Sequence, residues 1–492
     1  MKTYFNTILM LVLVISTASA QAPDTLWTRT IGGVEADFGR RILQTQDGGF
    51  AILGHTNSFT AGGYDIYLIK TDSDGNTLWT RNYGGSGDDY CGGFRQTGDG
   101  GFIIGGTTNS FGAVLADYHL IKTDSAGDTL WTKVINGDDD DNCTDVGLTW
   151  DGGYILSGFS SSSGSAGAYD AVLLKTDGDG NVSWIRYYGG ESADKIYTVK
   201  QTSDGGYIAA GESGSFVLYD QEAYLIRTDA SGDTLWTRSY GMPYYYLQDV
   251  FYGVTETPDG GFLAVGGSCS FSFGYYDIFA VKTDTQGDTL WTRLYGNPWD
   301  DIGYGLTSTT DGGYIIAGVT KRNEGPFFDG YLVKIEADGD SLWTFGLGGP
   351  IGENDDYFYS AVQAEDGKYL AAGMTDAYGA GEIDVWLVCL AAESVFVKNR
   401  SDYIPGECVL YEPYPNPFNQ AVNLSFQLPA PGYVTLKAFD LQGREAGLIA
   451  EGEYSAGIHH KTFDAFELAS GIYFICLEAG GVYRTQKVVL LK

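Results

Sequence analysis

Four carboxylates, Asp249, Asp300, Asp301 and Glu324, fall in a stretch that is also rich in aromatic rings: Tyr244, Tyr245, Tyr246, Phe271, Phe273, Tyr275, Tyr276, Trp299, Phe327 and Phe328. Rings stack against the C–H faces of sugars while carboxylates accept their hydroxyls, so this mixture suits a non-enzymatic platform for glycan or for a surface protein. Two carboxylates flanking a glycosidic bond can also act as acid and base, and the rival reading is therefore a polysaccharide hydrolase or lyase using these same acids. A structural surface-layer component, with no small ligand, is the third reading. Histidine chemistry has little to work with. Only His55, His119, His459 and His460 occur, the first two in strands of different repeats. No HExxH, GxSxG, P-loop or GxGxxG signature is present, and no cofactor is implied.

A second set of carboxylates stands eight residues before a threonine (Ala364 in the last copy): Asp37, Asp89, Asp141, Asp194, Asp249, Asp301 and Asp356. Gathered at a channel mouth, they would accumulate like charge and favour a cation such as calcium. A residue found in every repeat also suits a structural task, accepting backbone N–H bonds within a loop. The turns holding Asp72, Asp74 and Asn76, or Asp177, Asp179 and Asn181, place oxygens at alternate positions as a calcium loop does. Equivalent turns read Ser-Ala-Gly-Asp or Thr-Gln-Gly-Asp, which fits plain hairpin turns.

These residues are positioned by a repeat of about 52 residues. Its tryptophans are Trp27, Trp79, Trp131, Trp184, Trp236, Trp291 and Trp343, at spacings of 52, 52, 53, 52, 55 and 52. Asp-Gly-Gly-aromatic begins at Asp47, Asp99, Asp151, Asp204, Asp259 and Asp311, with a degenerate copy at Asp366-Gly367-Lys368-Tyr369. An apolar strand such as 65–70 recurs seven times as well. The first repeat is expected to hold strands over 40–45, 50–56, 66–71 and 78–83, joined by turns rich in Asp, Asn and Gly. A lone four-stranded blade cannot cover both its apolar faces, so the fold expected for 24–391 is an all-β, seven-bladed β-propeller. The first Leu-Trp strand precedes the first Asp-Gly-Gly, and the last apolar strand, 384–390, lacks a successor. Residues 26–31 are therefore expected to close the ring on that strand, with Trp27 buried. Connections entering the first strand, and those from second to third, emerge at one end of each blade. The aromatic and acidic loops thus share one face.

Asp and Glu outnumber Lys and Arg by 63 to 29, a balance that repels nucleic acid. Lys2, an apolar run over 8–15 and Ala18-Ser19-Ala20 read as a signal peptide over 1–20, and no later run is long enough to span a bilayer. The six cysteines show no metal spacing. Cys91 and Cys143 occupy equivalent places in successive repeats, where either a disulfide or two small buried side chains would fit. The chain is read as a monomer.

After a linker over 392–412, alternating strands are expected over 421–427, 432–440, 459–464, 471–478 and 484–491, forming an immunoglobulin-like β-sandwich over 413–492. Pro415-Asn416-Pro417-Phe418-Asn419, Ser470-Gly471-Ile472-Tyr473-Phe474 and the ending at Lys492 resemble the sorting domains of the type IX secretion system. The resemblance implies a secreted or cell-surface protein that partners the type IX machinery and crosses the outer membrane. The turn before Trp79 is also similar to the Asp-boxes of sialidases. Its glycine stands four rather than three residues before the tryptophan, and no arginine triad accompanies it.

Overall fold

The computed structural model describes residues 22–393, apart from 61, 112–114, 136–139, 162–168, 217–220, 242–247, 271–274, 323–324 and 350–353, and residues 408–490, apart from 411–412, 414–420, 441–442, 455–456, 467 and 481. The signal-peptide expectation lies outside these residues. The chain divides into two compact units.

The first unit contains seven four-stranded antiparallel sheets. In blade one the strands are Asp37–Gln44, Phe50–Thr56, Asp65–Thr71 and Thr77–Tyr83. The two middle strands are buried at every position, because neighbouring blades cover both of their faces. Ala51, Leu53, Ile66 and Leu68 of blade one pack with Phe94, Phe102 and Ile104 of blade two. Truncating one such leucine to alanine costs about 3 kcal/mol.

The repeated residues build and lock each blade. Asp47 accepts from the Thr45 hydroxyl at 2.5 Å and the Gly49 N–H at 3.1 Å, while Gly48 takes φ 81°, a conformation that costs glycine little. Lys70, buried in the third strand, reaches back to the same carboxylate. Equivalent cations pair with Asp99, Asp151, Asp204, Asp259 and Asp311. In blade seven Cys389 takes the lysine's place, and Asp366 pairs with Lys368 instead.

The ring closes on itself. The seventh sheet runs Asp356–Gln363, Tyr369–Thr375, Asp384–Leu390 and then Thr25–Ile31, with Trp27 opposite Cys389 and Ile31 opposite Val385. Ile42, Phe50 and Ile52 of blade one share a core with Leu370, Val385 and Leu387 of blade seven. The Glu365 N–H donates to Gln44 Oε1 at 2.9 Å, repeating the bond from the Gln46 N–H to Gln96 Oε1 between blades one and two. One expectation needs correction: Trp27 is half-buried, not buried. Its indole lies across the Gly75 turn of the next blade, as Trp79 lies across Gly127, where a Cβ would come within 2.7 Å of the ring. The Arg29 guanidinium lies over the ring, 5.1 Å from its centroid, so the indole is packed between a turn and a solvated side chain.

The second unit is a sandwich of two antiparallel sheets, one of 409–410, 421–428 and 457–464, the other of 445–454, 432–439, 471–479 and 482–490. Leu424 and Phe426 from one sheet and Leu436, Ile475 and Val488 from the other share a core. The strand Glu445–Tyr454 has no counterpart among the strands expected from the sequence. All six cysteines are free, so Cys91 and Cys143 form no bridge. Among the described residues no helix is long and apolar enough to cross a membrane.

Candidate functional site

Among the aromatic and acidic loops, which vary from blade to blade and whose end of the blades is the variable face, Tyr275 and Trp299 meet edge-on, with ring centroids 5.5 Å apart. Asp300 accepts the Tyr276 N–H at 3.0 Å and pairs with Lys321, whose ammonium lies 4.6 Å from the Phe328 ring. Asp300 therefore ties two variable loops together, and Phe327 sits half-buried beside Phe328. Tyr244, Tyr245, Tyr246, Phe271, Phe273 and Glu324 lie outside the described residues.

The seven repeated aspartates sit one per blade corner, and all are buried. Asp37 accepts the Gly33 N–H and the Ser58 hydroxyl, each at 2.7 Å, and also the Thr56 hydroxyl. Asp89 accepts Gly85 and Ser110, Asp194 accepts Gly190 and Ser215, and Asp356 accepts Gly349. Asp249 accepts the Ser270 hydroxyl and Asp301 the Asn297 N–H. Asp141 is fixed through its backbone N–H to Ala116 at 2.7 Å. Two of the four candidate catalytic acids, Asp249 and Asp301, are thus enclosed in different corners, and burial pushes the Asp301 carboxyl up to about 7. Among the described residues no group of three or more His, Cys, Asp or Glu is arranged to hold a metal.

Sequence reasoning missed the residues that line the axial channel. Every inner strand skips one residue in its pairing, and the skipped residues are Arg40, Gly92, Thr144, Tyr197, Tyr252, Tyr304 and Tyr359. Such a bulge re-aims one side chain without ending the strand, and residues from this set line a cavity of about 260 Å³. The four tyrosines come from consecutive blades and form a half-collar, with successive ring centroids 5.0, 5.2 and 5.2 Å apart. Arg40 extends it, its guanidinium 4.1 Å from the Tyr359 ring. The collar connects outward, since Tyr357 lies 5.5 Å from Tyr359 and 5.6 Å from Phe328. The signal in the sequence was the fourth residue of each inner strand, tyrosine in blades four to seven.

Further along the inner strands, toward the Asp-Gly-Gly turns, a second cavity of about 190 Å³ is lined by Arg41, Arg95, Asp145, Thr198 and Lys200, together with Tyr252 and Tyr304 of the collar. Burial alone would raise the Asp145 carboxyl, but Arg95 and Arg41, with the Thr198 hydroxyl, hold it below its usual range. Arg95 pairs with it at 3.3 Å and Thr198 donates at 3.0 Å. Burial, reinforced by Arg95, pulls the Lys200 ammonium down to about 8. Cys91 Sγ lies 3.6 Å from His55 Nδ1, the contact a thiol nucleophile would use. Burial raises that thiol to about 11 and lowers the imidazole to about 3. Both stay neutral, which disfavours a thiolate.

Residues 412–491 match the family described as the secretion system C-terminal sorting domain. The C-terminal unit is a type IX sorting domain. The chain is accordingly exported by that route, to the cell surface or beyond it, and this domain is what addresses it to the type IX machinery. Within the sorting domain Gly471 pairs with Leu490, and buried Tyr473 donates its hydroxyl to the Ala469 carbonyl at 2.8 Å. Pro415, Asn416, Pro417, Phe418, Asn419 and Lys492 lie outside the described residues. The chain is 21% identical over 335 residues to the regulatory protein FlaEY of Caulobacter vibrioides, covering 56% of this chain and 35% of that one. It thus spans about a third of that relative's length. Similar solved structures include Sqt1 from Chaetomium thermophilum, with 12% identity and TM-score 0.41 over 76% of this chain and 100% of that one. They also include the α-L-arabinofuranosidase Arb93A of Fusarium graminearum, with 10% identity and TM-score 0.37 over 73% and 98%. A mutant of Synechocystis apocarotenoid oxygenase gives 10% and 0.36 over 64% and 72%.

Proposed function

We propose that the exported propeller is a non-enzymatic glycan-binding protein whose site begins on the variable face and continues into the axial channel. A signal peptide over 1–20 and a linker over 392–412 belong to the same reading. The observation that carries it is the run of rings from Phe328 through Tyr357 and Tyr359 to Tyr304, Tyr252 and Tyr197, each within 5.7 Å of the next. Stacked rings leading from a rim into a concavity suit a sugar chain. A folded protein partner would need a broad, flat surface, whereas the axial cavities hold little more than one sugar ring each. The variable-face pair Tyr275 and Trp299 offers a further platform beside this track, and Asp300 holds its loop in place.

The test is a glycan array probed with the full chain, with and without a chelator. Binding to a defined class of oligosaccharide, weakened by Tyr252→Ala or Tyr304→Ala, is the expected result. Release of shorter products from a polysaccharide, lost in Asp300→Asn, would instead establish the hydrolase or lyase reading. Capture of a protein with no glycan binding would overturn the proposal.

A further inference from the structure

The chain carries a formal charge of −34, yet the cavity deeper than the collar is lined by three cations, Arg41, Arg95 and Lys200, against one carboxylate, Asp145. Asp145 meets Arg95 at 3.3 Å and is also held in its charged form by Arg41 and, more weakly, by Lys200, so one negative charge stands against three positive ones. No hydrogen bond or ion pair among the described residues engages the Arg41 guanidinium or the Lys200 ammonium, although both line the cavity. Both side chains are half-buried, and drawing an excess of positive charge partly out of water is costly. The repeat does not require it either. The place of Arg41 is filled by Gly253, Gly305 and Ser360 in blades five to seven, and the place of Lys200 by Thr255 and Thr307 in blades five and six. Blades fold without these cations, so their presence answers to something in the channel.

From this juxtaposition of excess cations with the tyrosine half-collar, we infer that the channel takes an acidic sugar, stacking its ring on Tyr252 and Tyr304 and receiving its carboxylate between Arg41 and Lys200. The inference rests on the glycan reading above and narrows it to uronate-type residues. Arginine's planar fork matches a carboxylate in a bidentate contact, and lysine supplies a second point charge. The two cavities, of about 190 and 260 Å³, each fall below the roughly 300–1,000 Å³ of sites for drug-sized ligands. That size fits one sugar residue at each level and excludes a polyanion bound sideways. A sulfated sugar presents a related oxyanion, so the experiment carries it as a separate arm.

Isothermal titration of the full chain with trigalacturonate, a neutral galactotriose and a sulfated galactan oligosaccharide of equal length is the test. Trigalacturonate is expected to bind about tenfold more tightly than the neutral sugar, the scale of one charge-assisted contact. Arg41→Ser and Lys200→Thr, which install residues that other blades carry at these places, should remove that preference in a chain whose circular dichroism still reports a folded propeller. Equal affinity for acidic and neutral sugars would overturn the inference but leave the glycan reading standing. Failure of all three sugars would overturn both. Preference for the sulfated arm over the uronate would overturn the carboxylate assignment, as would acid binding that survives both substitutions.

Discussion

The Asp-Gly-Gly turns and the inner-strand bulges each occur once per blade, but they treat their side chains differently. At the turns of six blades, Asp47 and its counterparts meet the same hydroxyl, the same N–H and a buried cation from the third strand. At the bulges the backbone irregularity is constant while the side chain runs from glycine to arginine to tyrosine. A residue that repeats serves the ring. A residue that varies on a repeated backbone device is free to serve a ligand, because the fold has already been secured elsewhere. Specific function on pseudosymmetric scaffolds concentrates in such places.

The comparison breaks most visibly if the ring itself depends on one strand. Deleting residues 24–33 removes the outer strand of blade seven and, with it, some four or five hydrogen bonds worth about 1 kcal/mol each. The expected product aggregates or is readily proteolysed, and an unchanged melting temperature would refute closure by this strand. Next in size is a contrast between two lysines. Lys334 is fully buried and holds Asp311 at 2.7 Å, so Lys334→Ala should lower stability by about 2 kcal/mol in denaturant titration. Lys200→Thr, by contrast, should cost nothing measurable or stabilise the chain. If both cost the same, the channel cation is structural.

Acidity sharpens the same contrast by a smaller amount. Hydrogen bonding from Thr97 and Lys122 holds Asp99 down at about 2, and Thr257 and Lys282 do the same for Asp259. These depressed groups contribute stability above the unfolded carboxylate value of about 4, and that contribution is lost as pH falls toward 2. Burial raises Asp65 and Asp277 to about 6 and Asp301 to about 7. Raised carboxyls contribute stability that is full below pH 4 and is lost as pH climbs through 6 and 7. Melting of the propeller is therefore expected to peak near pH 4 to 5, and Asp301→Asn should flatten the neutral side. A curve rising steadily to pH 7 would contradict these environments. The smallest structural effect belongs to Trp299→Ala, which should leave melting unchanged while weakening oligosaccharide binding severalfold in titration, the worth of one lost stacking contact.

The sequence made the blade count legible because Leu-Trp, Asp-Gly-Gly and the apolar third strand are local patterns with local causes, a turn or a buried face. Ring closure was legible for the same reason, as an outer strand displaced to the other terminus. In blade one the sequence pattern marks the inner strand only from Arg40, three residues past its start at Asp37, because the bulge breaks the alternation by which a strand is recognised. That one irregularity also hid the channel lining, since Tyr197, Tyr252, Tyr304 and Tyr359 share a wall only once the skipped position is known. The strand Glu445–Tyr454 escaped for a kindred reason. Its pairing with 432–439 shifts register at Leu436/Lys437 and again at Ala438/Phe439, so its apolar residues do not keep a period of two. The repeated aspartates were legible as a pattern, but their partners Ser58, Ser110 and Ser215 lie across the blade corner and become apparent only in three dimensions.

A crystal structure of the full chain soaked with trigalacturonate tests the division between ring-building and ligand-facing residues most directly. Sugar density stacked on Tyr252 and Tyr304, with its carboxylate against Arg41 and Lys200, is the outcome the account requires. Density seated on the Asp-Gly-Gly turns, with the channel side chains unmoved and untouched, would contradict it.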